Sequence, residues 1–100
     1  MVSCRRSAAI PQERPVPTVR EAFEEARQYV QALPERPPSA TLLRLYGLYK
    51  QATEGDIDQP RPGFFDFVGT AKFEAWEGLR GTPPDVAMQQ YVDLVDQLRG

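Results

Sequence analysis

Tyrosine and lysine side chains stand close together in one short segment, LYGLYKQATEGD, which spans residues 45–56. Tyr46 and Lys50 are four residues apart, so on a helix their polar ends can converge. Tyr49 belongs to the same helical surface. Aromatic rings can stack on a base, and an ammonium group can bind a phosphate. The spacing therefore favours binding of an aromatic, phosphorylated ligand such as a nucleotide-like cofactor.

The same residues also have a purely structural interpretation. Tyrosines at helical spacing are usually core residues whose hydroxyl groups reach the surface, and a lysine beside them usually snorkels. Leu42 shares a stripe with both tyrosines, while Leu45 and Leu48 form a second stripe. The helix is thus apolar over more than the ~100° that a surface helix needs. Either it lies centrally among other helices, or a ligand covers one face.

The composition excludes several kinds of catalytic and metal site. The sequence contains no histidine, so a serine triad and histidine-based metal binding are both ruled out. The single cysteine, Cys4, can support neither a disulfide framework nor a cysteine-rich metal site. The acidic residues near DID lack the ligand order of a calcium loop. We therefore expect a protein that is not an enzyme, with no catalytic residue, no metal and no cofactor.

Charge and hydropathy limit the partners. The net charge is −2 for the whole chain and −4 from residue 18 onward, where nine basic and 13 acidic residues remain. Broad binding to duplex nucleic acid needs a basic surface, so we expect no nucleic-acid partner. No apolar run approaches the ~20 residues of a membrane span. One unpaired cysteine suits a reducing compartment, and we expect a cytoplasmic location.

Proline-rich sequence separates a tail from a helical domain. Three prolines fall between Pro11 and Pro17, and we expect residues 1–17 to be a disordered tail and residues 18–100 to form one domain. Helical periodicity predominates and alternation of period two is missing, which predicts an all-α bundle of four helices. The connection over residues 59–66 is long enough to cross the bundle, so the spacing alone leaves the helix order open.

Capping residues predict where the helices begin and end. Thr18 and Glu21 have the spacing of a capping box at the start of the first helix, and the prolines of residues 34–38 end it. The remaining expected caps are, in chain order, Ser39, the left-handed Gly55, Asp66, and Thr82 followed by Pro83 at the first helical position.

The two adjacent phenylalanines within the long connection have two interpretations. Phe64 and Phe65 either fill the core from a rigid loop, or contact the ligand or a membrane. The apolar stripe expected for the third helix consists of Phe67, Ala71, Ala75 or Trp76, and Leu79.

The run LYGLYKQATEGDIDQPRPGFFDFVGTAKFEAWEGLRGT resembles the acyl-CoA-binding protein family. That family carries a Tyr-x-x-Tyr-Lys-Gln-Ala-Thr-x-Gly-Asp core, then Arg-Pro-Gly, then Ala-Lys-Trp-x-Ala-Trp. The similarity runs without gaps from about Phe23 to Leu98. It implies an antiparallel four-helix bundle with up-down-down-up connectivity, and a medium- or long-chain acyl-CoA thioester as the ligand.

The resemblance also implies roles for single residues. Three positions match residues that hold the ribose 3′-phosphate: Tyr46, Lys50 and Lys72. Tyr49 matches a residue beside the adenine, and Tyr91 matches a tyrosine of the last helix that closes the nucleotide side. Leu42 and Leu43 fall where the family lines the acyl chain.

Some positions depart from the family pattern. Lysines are common in the family where this chain has Gln31, Val68 and Thr70, and a tryptophan is replaced by Phe73. Fewer cations imply weaker or more salt-sensitive attachment of the CoA phosphates. Arg36 and Arg44 are the candidates that could compensate.

Two classes of function follow from these patterns. The first is a non-catalytic intracellular carrier that shields the acyl chain, acts as a monomer, and passes its ligand transiently to acyl-CoA-using enzymes. The alternative is a helical interaction module that binds another protein's amphipathic helix through the same apolar groove.

Overall fold

Four α-helices make up the described part of the chain, residues 17–100 of the computed structural model, and no strand occurs there. In chain order they are α1 Val19–Gln31, α2 Ser39–Glu54, α3 Phe67–Glu77 and α4 Pro84–Arg99. The prediction of an all-α protein with four helices is confirmed. The tail expected over residues 1–17 lies outside the described residues, except for Pro17.

Two of the expected helix caps are confirmed by their hydrogen bonds. The backbone N–H of Glu21 donates to the Thr18 hydroxyl over 3.1 Å, and the backbone N–H of Thr18 donates to the Glu21 carboxylate over 2.9 Å. This reciprocal pair is a capping box. At the start of α3, the Asp66 carboxylate accepts from the backbone N–H of Gly69 over 2.8 Å.

Two other caps were predicted one residue out of place. Ser39 is already the first residue of α2, because the first helical bond reaches back from Leu42 N–H to the carbonyl of Pro38. The fourth helix begins at Pro84 rather than Pro83. A residue before a proline is forced into an extended conformation, so Pro83 is the N-cap and Thr82 lies too early to cap.

The end of α2 confirms only part of the expectation for Gly55. Its φ of 81° is positive, as predicted, but its ψ of −153° lies outside the left-handed helical region. Only glycine adopts this combination of angles readily. The chain therefore leaves α2 in an extended direction, toward Asp56 and Ile57.

Helices α2 and α3 run parallel to each other. Near the middle of α2, the Tyr46 ring lies under the ammonium of Lys72, the central residue of α3. Farther along both helices, the indole N–H of Trp76 donates to the carbonyl of Gly55 over 2.8 Å. The middle of α2 thus lies beside the middle of α3, and the two C-terminal ends lie side by side.

Helix α4 runs parallel to α1 and antiparallel to α2. The Arg99 guanidinium at the end of α4 lies 4.2 Å from the ring centroid of Tyr29 at the end of α1. In contrast, Gln51 near the end of α2 donates to the carbonyl of Thr82, just before α4 begins. The resulting up-down-down-up connectivity confirms the order that the family resemblance implied.

The core forms where α4 packs against both α1 and α2. Its buried members come from these three helices: Phe23, Ala26, Leu45, Leu48, Ala52, Ala87, Met88, Tyr91, Leu94 and Val95. Among the helices of residues 17–100, α3 packs on α2 alone, and Trp76 is its buried residue. With a single neighbouring helix, α3 buries only a narrow stripe.

The aromatic residues at the start of α3 do not join this core. Phe67, expected to begin the buried stripe of α3, is 73% exposed. Phe64 and Phe65 are 84% and 80% exposed, so the interpretation that they fill the core is wrong. The first turn of α3 lacks a second helix to pack against, which leaves these rings at the surface.

Gln51 joins the end of α2 to the start of α4. It is buried, and its amide nitrogen donates to the Asp56 carboxylate and to the Thr82 carbonyl, each over 2.9 Å. The same Asp56 oxygen accepts from the backbone N–H of Gly81 over 2.8 Å. These bonds, first the one from Gly81 and then the one from Gln51, lower the pKa of Asp56 below its ordinary 3.8.

We expect Gly47→Ala to destabilise the fold. A Cβ at Gly47 would lie 2.5 Å from the carbonyl oxygen of Ala75 and 2.8 Å from its carbonyl carbon, and backbone atoms cannot rotate away. Overpacking costs about 1–3 kcal/mol, and the upper part of this range exceeds the gain of about 1 kcal/mol in helix propensity. Urea denaturation measures the net loss. Gly63→Ala, at a site with open space, is the control and should be near neutral.

Asp56→Asn should reduce the loss of stability in acid. The folded-state pKa of Asp56 is lowered, so its ionised carboxylate adds to the free energy of unfolding. This contribution is fully present above pH 3.8 and disappears as the pH falls through the lowered pKa. The free energy of unfolding should therefore fall less between pH 5 and pH 2.5 in the variant than in the parent. Asp58→Asn controls for removing one charge from the same connection. Equal acid losses in the parent and Asp56→Asn would contradict this assignment.

Candidate ligand-binding site

A groove opens between α1 and α2, because both helices pack closely on α4 while, within residues 17–100, their backbones stay apart and only side chains bridge them. Its volume is about 300 Å³. We call it the aromatic groove, and it is lined by Arg27, Val30, Gln31, Leu42, Leu45, Tyr46, Tyr49 and Tyr91. Three of the four tyrosines of the sequence therefore face one surface depression.

The core holds two of these tyrosine rings in place. Phe23 stacks on Tyr49 with 6.0 Å between ring centroids and meets the edge of Tyr91 at 5.0 Å. The Arg27 guanidinium lies 5.0 Å from the Tyr49 centroid, on a neighbouring turn from Phe23. Burial raises the pKa of Tyr91, so its hydroxyl stays protonated at neutral pH and can donate a hydrogen bond.

The parallel arrangement of α2 and α3 creates a reciprocal pair of cation–π contacts. Helix α2 presents Tyr46 and Lys50 four residues apart, and α3 presents Lys72 and Trp76 at the same spacing. The Lys72 ammonium lies 5.4 Å from the Tyr46 ring, and the Lys50 ammonium lies 5.1 Å from the Trp76 ring. Both ammonium groups therefore lie at the α2–α3 contact, next to the aromatic groove.

Lys50 has an acidic partner of its own. Its ammonium donates to the Glu54 carboxylate one turn later in α2. This hydrogen bond is the main reason that the pKa of Lys50 is raised, so the group is charged at neutral pH. A ligand phosphate at Lys50 would have to share the ammonium with Glu54. Lys72, by comparison, is exposed to solvent.

A second, mainly apolar groove of about 360 Å³ lies between the first turns of α2 and α3. We call it the apolar groove, and its lining residues are Arg36, Ser39, Leu42, Leu43, Phe67, Val68 and Ala71. Leu42 lines both grooves, so the two adjoin at this residue. Together they can accept an elongated ligand with an aromatic, phosphorylated end and a hydrocarbon chain.

The structure places the sequence-predicted residues in or beside the two adjoining grooves. Four of them line the aromatic groove: Leu42, Tyr46, Tyr49 and Tyr91. Leu43 lines the apolar groove, Lys72 borders the aromatic groove above Tyr46, and Lys50 lies one turn farther along α2. Their separate roles toward a ligand stay predictions.

Sequence reasoning missed several lining residues. Arg27 and Val30 follow Phe23 at four and seven residues, a helical spacing that places them on the same face of α1. That spacing was a usable signal for Arg27. Phe67 and Val68 carried no such signal, because their exposure depends on how α3 packs.

The two candidate compensating arginines lie in different places. Arg36 lines the apolar groove. Arg44 lines a separate hollow with Leu79 and Gln90, on the other side of α2. Arg44 therefore cannot replace a missing lysine in the candidate site. Gln31 does line the aromatic groove, where it presents an amide instead of a cation.

The part of the chain that the structure describes lacks both a membrane-spanning helix and a cluster of metal-binding side chains. None of its helices combines the length and the apolar composition needed to cross a bilayer. Likewise, residues 17–100 hold no cluster of three or more side chains suited to a metal ion.

Four helices arranged up-down-down-up around these joined grooves define a small α-helical binding domain. The sequence pattern of the family described as "Acyl CoA binding protein" matches residues 20–95, and this chain belongs to that family. The resemblance drawn from the motif is thereby confirmed.

Individual relatives agree with this membership. The acyl-CoA-binding protein of Saccharomyces cerevisiae is 48% identical over 80 residues, which cover 80% of this chain and 92% of the yeast protein. The crystal structure of Oryza sativa Acyl-CoA-Binding Protein 2 superposes with a TM-score of 0.76 at 38% identity, covering 81% of this chain and 90% of the rice chain.

A third relative is a longer protein. Enoyl-CoA delta isomerase 2 of Rattus norvegicus is 51% identical over 76 residues. The match covers 76% of this chain but only 19% of the rat protein. A stretch similar to this chain therefore also occurs within a much larger polypeptide.

Proposed function

We propose that this chain is a non-catalytic carrier that reversibly binds medium- or long-chain fatty acyl-CoA thioesters. The observation that carries the proposal is the joining of the aromatic and apolar grooves at Leu42. An acyl-CoA has a nucleotide at one end and a hydrocarbon chain at the other. The two grooves offer matching chemistry in the same order.

The nucleotide end of the ligand lies in the aromatic groove in this proposal. Tyr46, Lys50 and Lys72 hold the ribose 3′-phosphate, with both ammonium groups at the α2–α3 contact. Tyr49 packs beside the adenine, and Tyr91 closes the nucleotide side. Arg27, 5.0 Å from the Tyr49 ring, adds a cation to a groove in which Gln31 supplies none.

The acyl chain lies in the apolar groove, against Leu42 and Leu43 on α2 and Phe67 and Val68 on α3. Burying one methylene stabilises by about 0.8 kcal/mol, so twelve could contribute about 10 kcal/mol before ordering costs. The groove is open along one side, so a bound chain keeps part of its own surface in water, which reduces this figure. Charge-assisted phosphate contacts contribute about 1.5–3 kcal/mol each. The acyl chain thus dominates affinity, and the phosphate contacts orient the ligand.

The carrier works as a cytoplasmic monomer, needs no cofactor, and passes its ligand transiently to acyl-CoA-using enzymes. Two findings support this part of the proposal. The family is named for binding acyl-CoA, and a stretch similar to this chain occurs within a protein named as an enoyl-CoA isomerase. The alternative of a helical protein-interaction module is not favoured, because the family and several relatives are named for acyl-CoA binding.

Affinity should rise with acyl-chain length, because each added methylene buries more apolar surface. Calorimetric titration with free CoA, octanoyl-CoA and palmitoyl-CoA should give far weaker binding for free CoA than for palmitoyl-CoA. Equal dissociation constants would contradict the proposal.

Incubation with palmitoyl-CoA and a thiol reagent tests whether the protein is non-catalytic. This part of the proposal fails if free CoA appears above background.

Lys72→Ala and Lys50→Ala should each weaken palmitoyl-CoA binding, by about tenfold or more for Lys72, and should flatten its salt dependence. The effect at Lys50 should be smaller, because Glu54 already shares its ammonium. Arg44→Ala, on the other side of α2, is the matched control and should bind like the parent.

A ligand without the 3′-phosphate makes this test specific. Against palmitoyl-3′-dephospho-CoA, the lysine variants and the parent should bind alike, because the group that the lysines recognise is missing. If both lysine variants match the parent for palmitoyl-CoA itself, the placement of the 3′-phosphate is wrong.

A further inference from the structure

Exposed apolar side chains are concentrated at one place on the molecule. Within residues 17–100, five large apolar side chains are exposed, and four of them fall in a stretch of five residues. These four, Phe64, Phe65, Phe67 and Val68, are 68–84% exposed, and we call them the phenylalanine tip. Contiguous exposed apolar groups of this kind mark an interaction surface.

The polar groups around the phenylalanine tip are neutralised or turned away from it. Asp66, the one acid inside the stretch, directs its carboxylate to the backbone N–H of Gly69, where it caps α3. Arg61, just before the tip, forms an ion pair with Glu74. Arg36, which lines the apolar groove with Phe67 and Val68, offsets the charge of Asp66, so the surface around the apolar side chains has no strong excess of either charge.

The shape of the phenylalanine tip is unsuited to a helical partner. Phe64 and Phe65 lie in a turn before α3 and project from the surface, whereas an amphipathic helix lays its apolar face into a groove. Phe64 and Phe65 pack edge to face on each other, with 5.0 Å between centroids, and otherwise project into solvent. Projecting aromatic rings with balanced charge are suited to a soft, amphipathic medium, the interface of a lipid bilayer.

The phenylalanine tip is continuous with the apolar groove, because Phe67 and Val68 belong to both. We propose that the phenylalanine tip docks the protein on the neutral surface of a phospholipid bilayer, with the apolar groove opening toward the lipid. An acyl chain can then pass between bilayer and groove without crossing water. This second step rests on the proposed function, whereas the docking itself does not.

Vesicle flotation with the full chain tests the docking. The parent should float with phosphatidylcholine vesicles, and its partition should change little between low and high salt. The double variant Phe64→Ser, Phe65→Ser should lower the partition by roughly tenfold or more, because two rings are withdrawn from the interface. Val86→Ser, which alters the fifth exposed apolar residue, away from the phenylalanine tip, is the control and should float like the parent.

Several results would overturn the docking. They are failure of the parent to float, equal flotation of the double variant, or flotation only with phosphatidylserine vesicles at low salt. A concentration-dependent dimer of the parent that the double variant loses would assign the phenylalanine tip to a second copy of the chain instead, and would also overturn it.

Calorimetry with soluble palmitoyl-CoA separates this inference from the proposed function. Phe64 and Phe65 do not line either groove, so the double variant should bind palmitoyl-CoA with the parent's affinity. It should nevertheless remove palmitoyl-CoA from vesicles more slowly than the parent. If neither protein binds the ligand while only the parent floats, the carrier proposal fails and the docking stands.

Discussion

The close approach of α2 and α3 determines where every other part of the site lies. The backbone of α3 at Ala75 comes so near to Gly47 that no side chain fits between the two helices. With the helices parallel and in this register, Tyr46 and Lys50 lie beside Lys72 and Trp76. The same register places the first turns of both helices side by side, where they form the apolar groove. A shift of one turn would separate each lysine from its aromatic partner.

The aromatic groove results from a different constraint, the central position of α4. Within residues 17–100, α1 and α2 both pack closely on α4 while their own backbones stay apart, so a depression remains between them. Phe23 occupies its inner end and holds the rings of Tyr49 and Tyr91, so these tyrosines are core residues and groove residues at once. The structural and the binding interpretations of the tyrosine segment are thus compatible. Residues that are held by the core do not have to be ordered again when a ligand binds.

Local signals in the sequence succeeded where a structure depends on neighbouring residues alone. The capping box of Thr18 and Glu21 and the cap at Asp66 were predictable, because each cap involves residues three apart. The caps assigned to Ser39 and Thr82 were wrong by one residue, since adjacent prolines decide where the helix begins. The exposure of Phe67 was not predictable either. It follows from the missing second neighbour of α3, which no local pattern records.

By itself, the sequence determined the helices, most of the core stripes, and the neighbouring positions of Tyr46 and Lys50, because these depend on the 3.6-residue period of one helix. Through its resemblance to a family it also indicated the connectivity and the kind of ligand. Only the tertiary structure decided that Lys72 lies above Tyr46, that Arg36 and not Arg44 reaches the site, and that Phe64 and Phe65 face solvent. Each of these depends on which helix faces surround a residue. Packing between segments far apart in the chain sets that arrangement, and the spacing within one segment does not contain it.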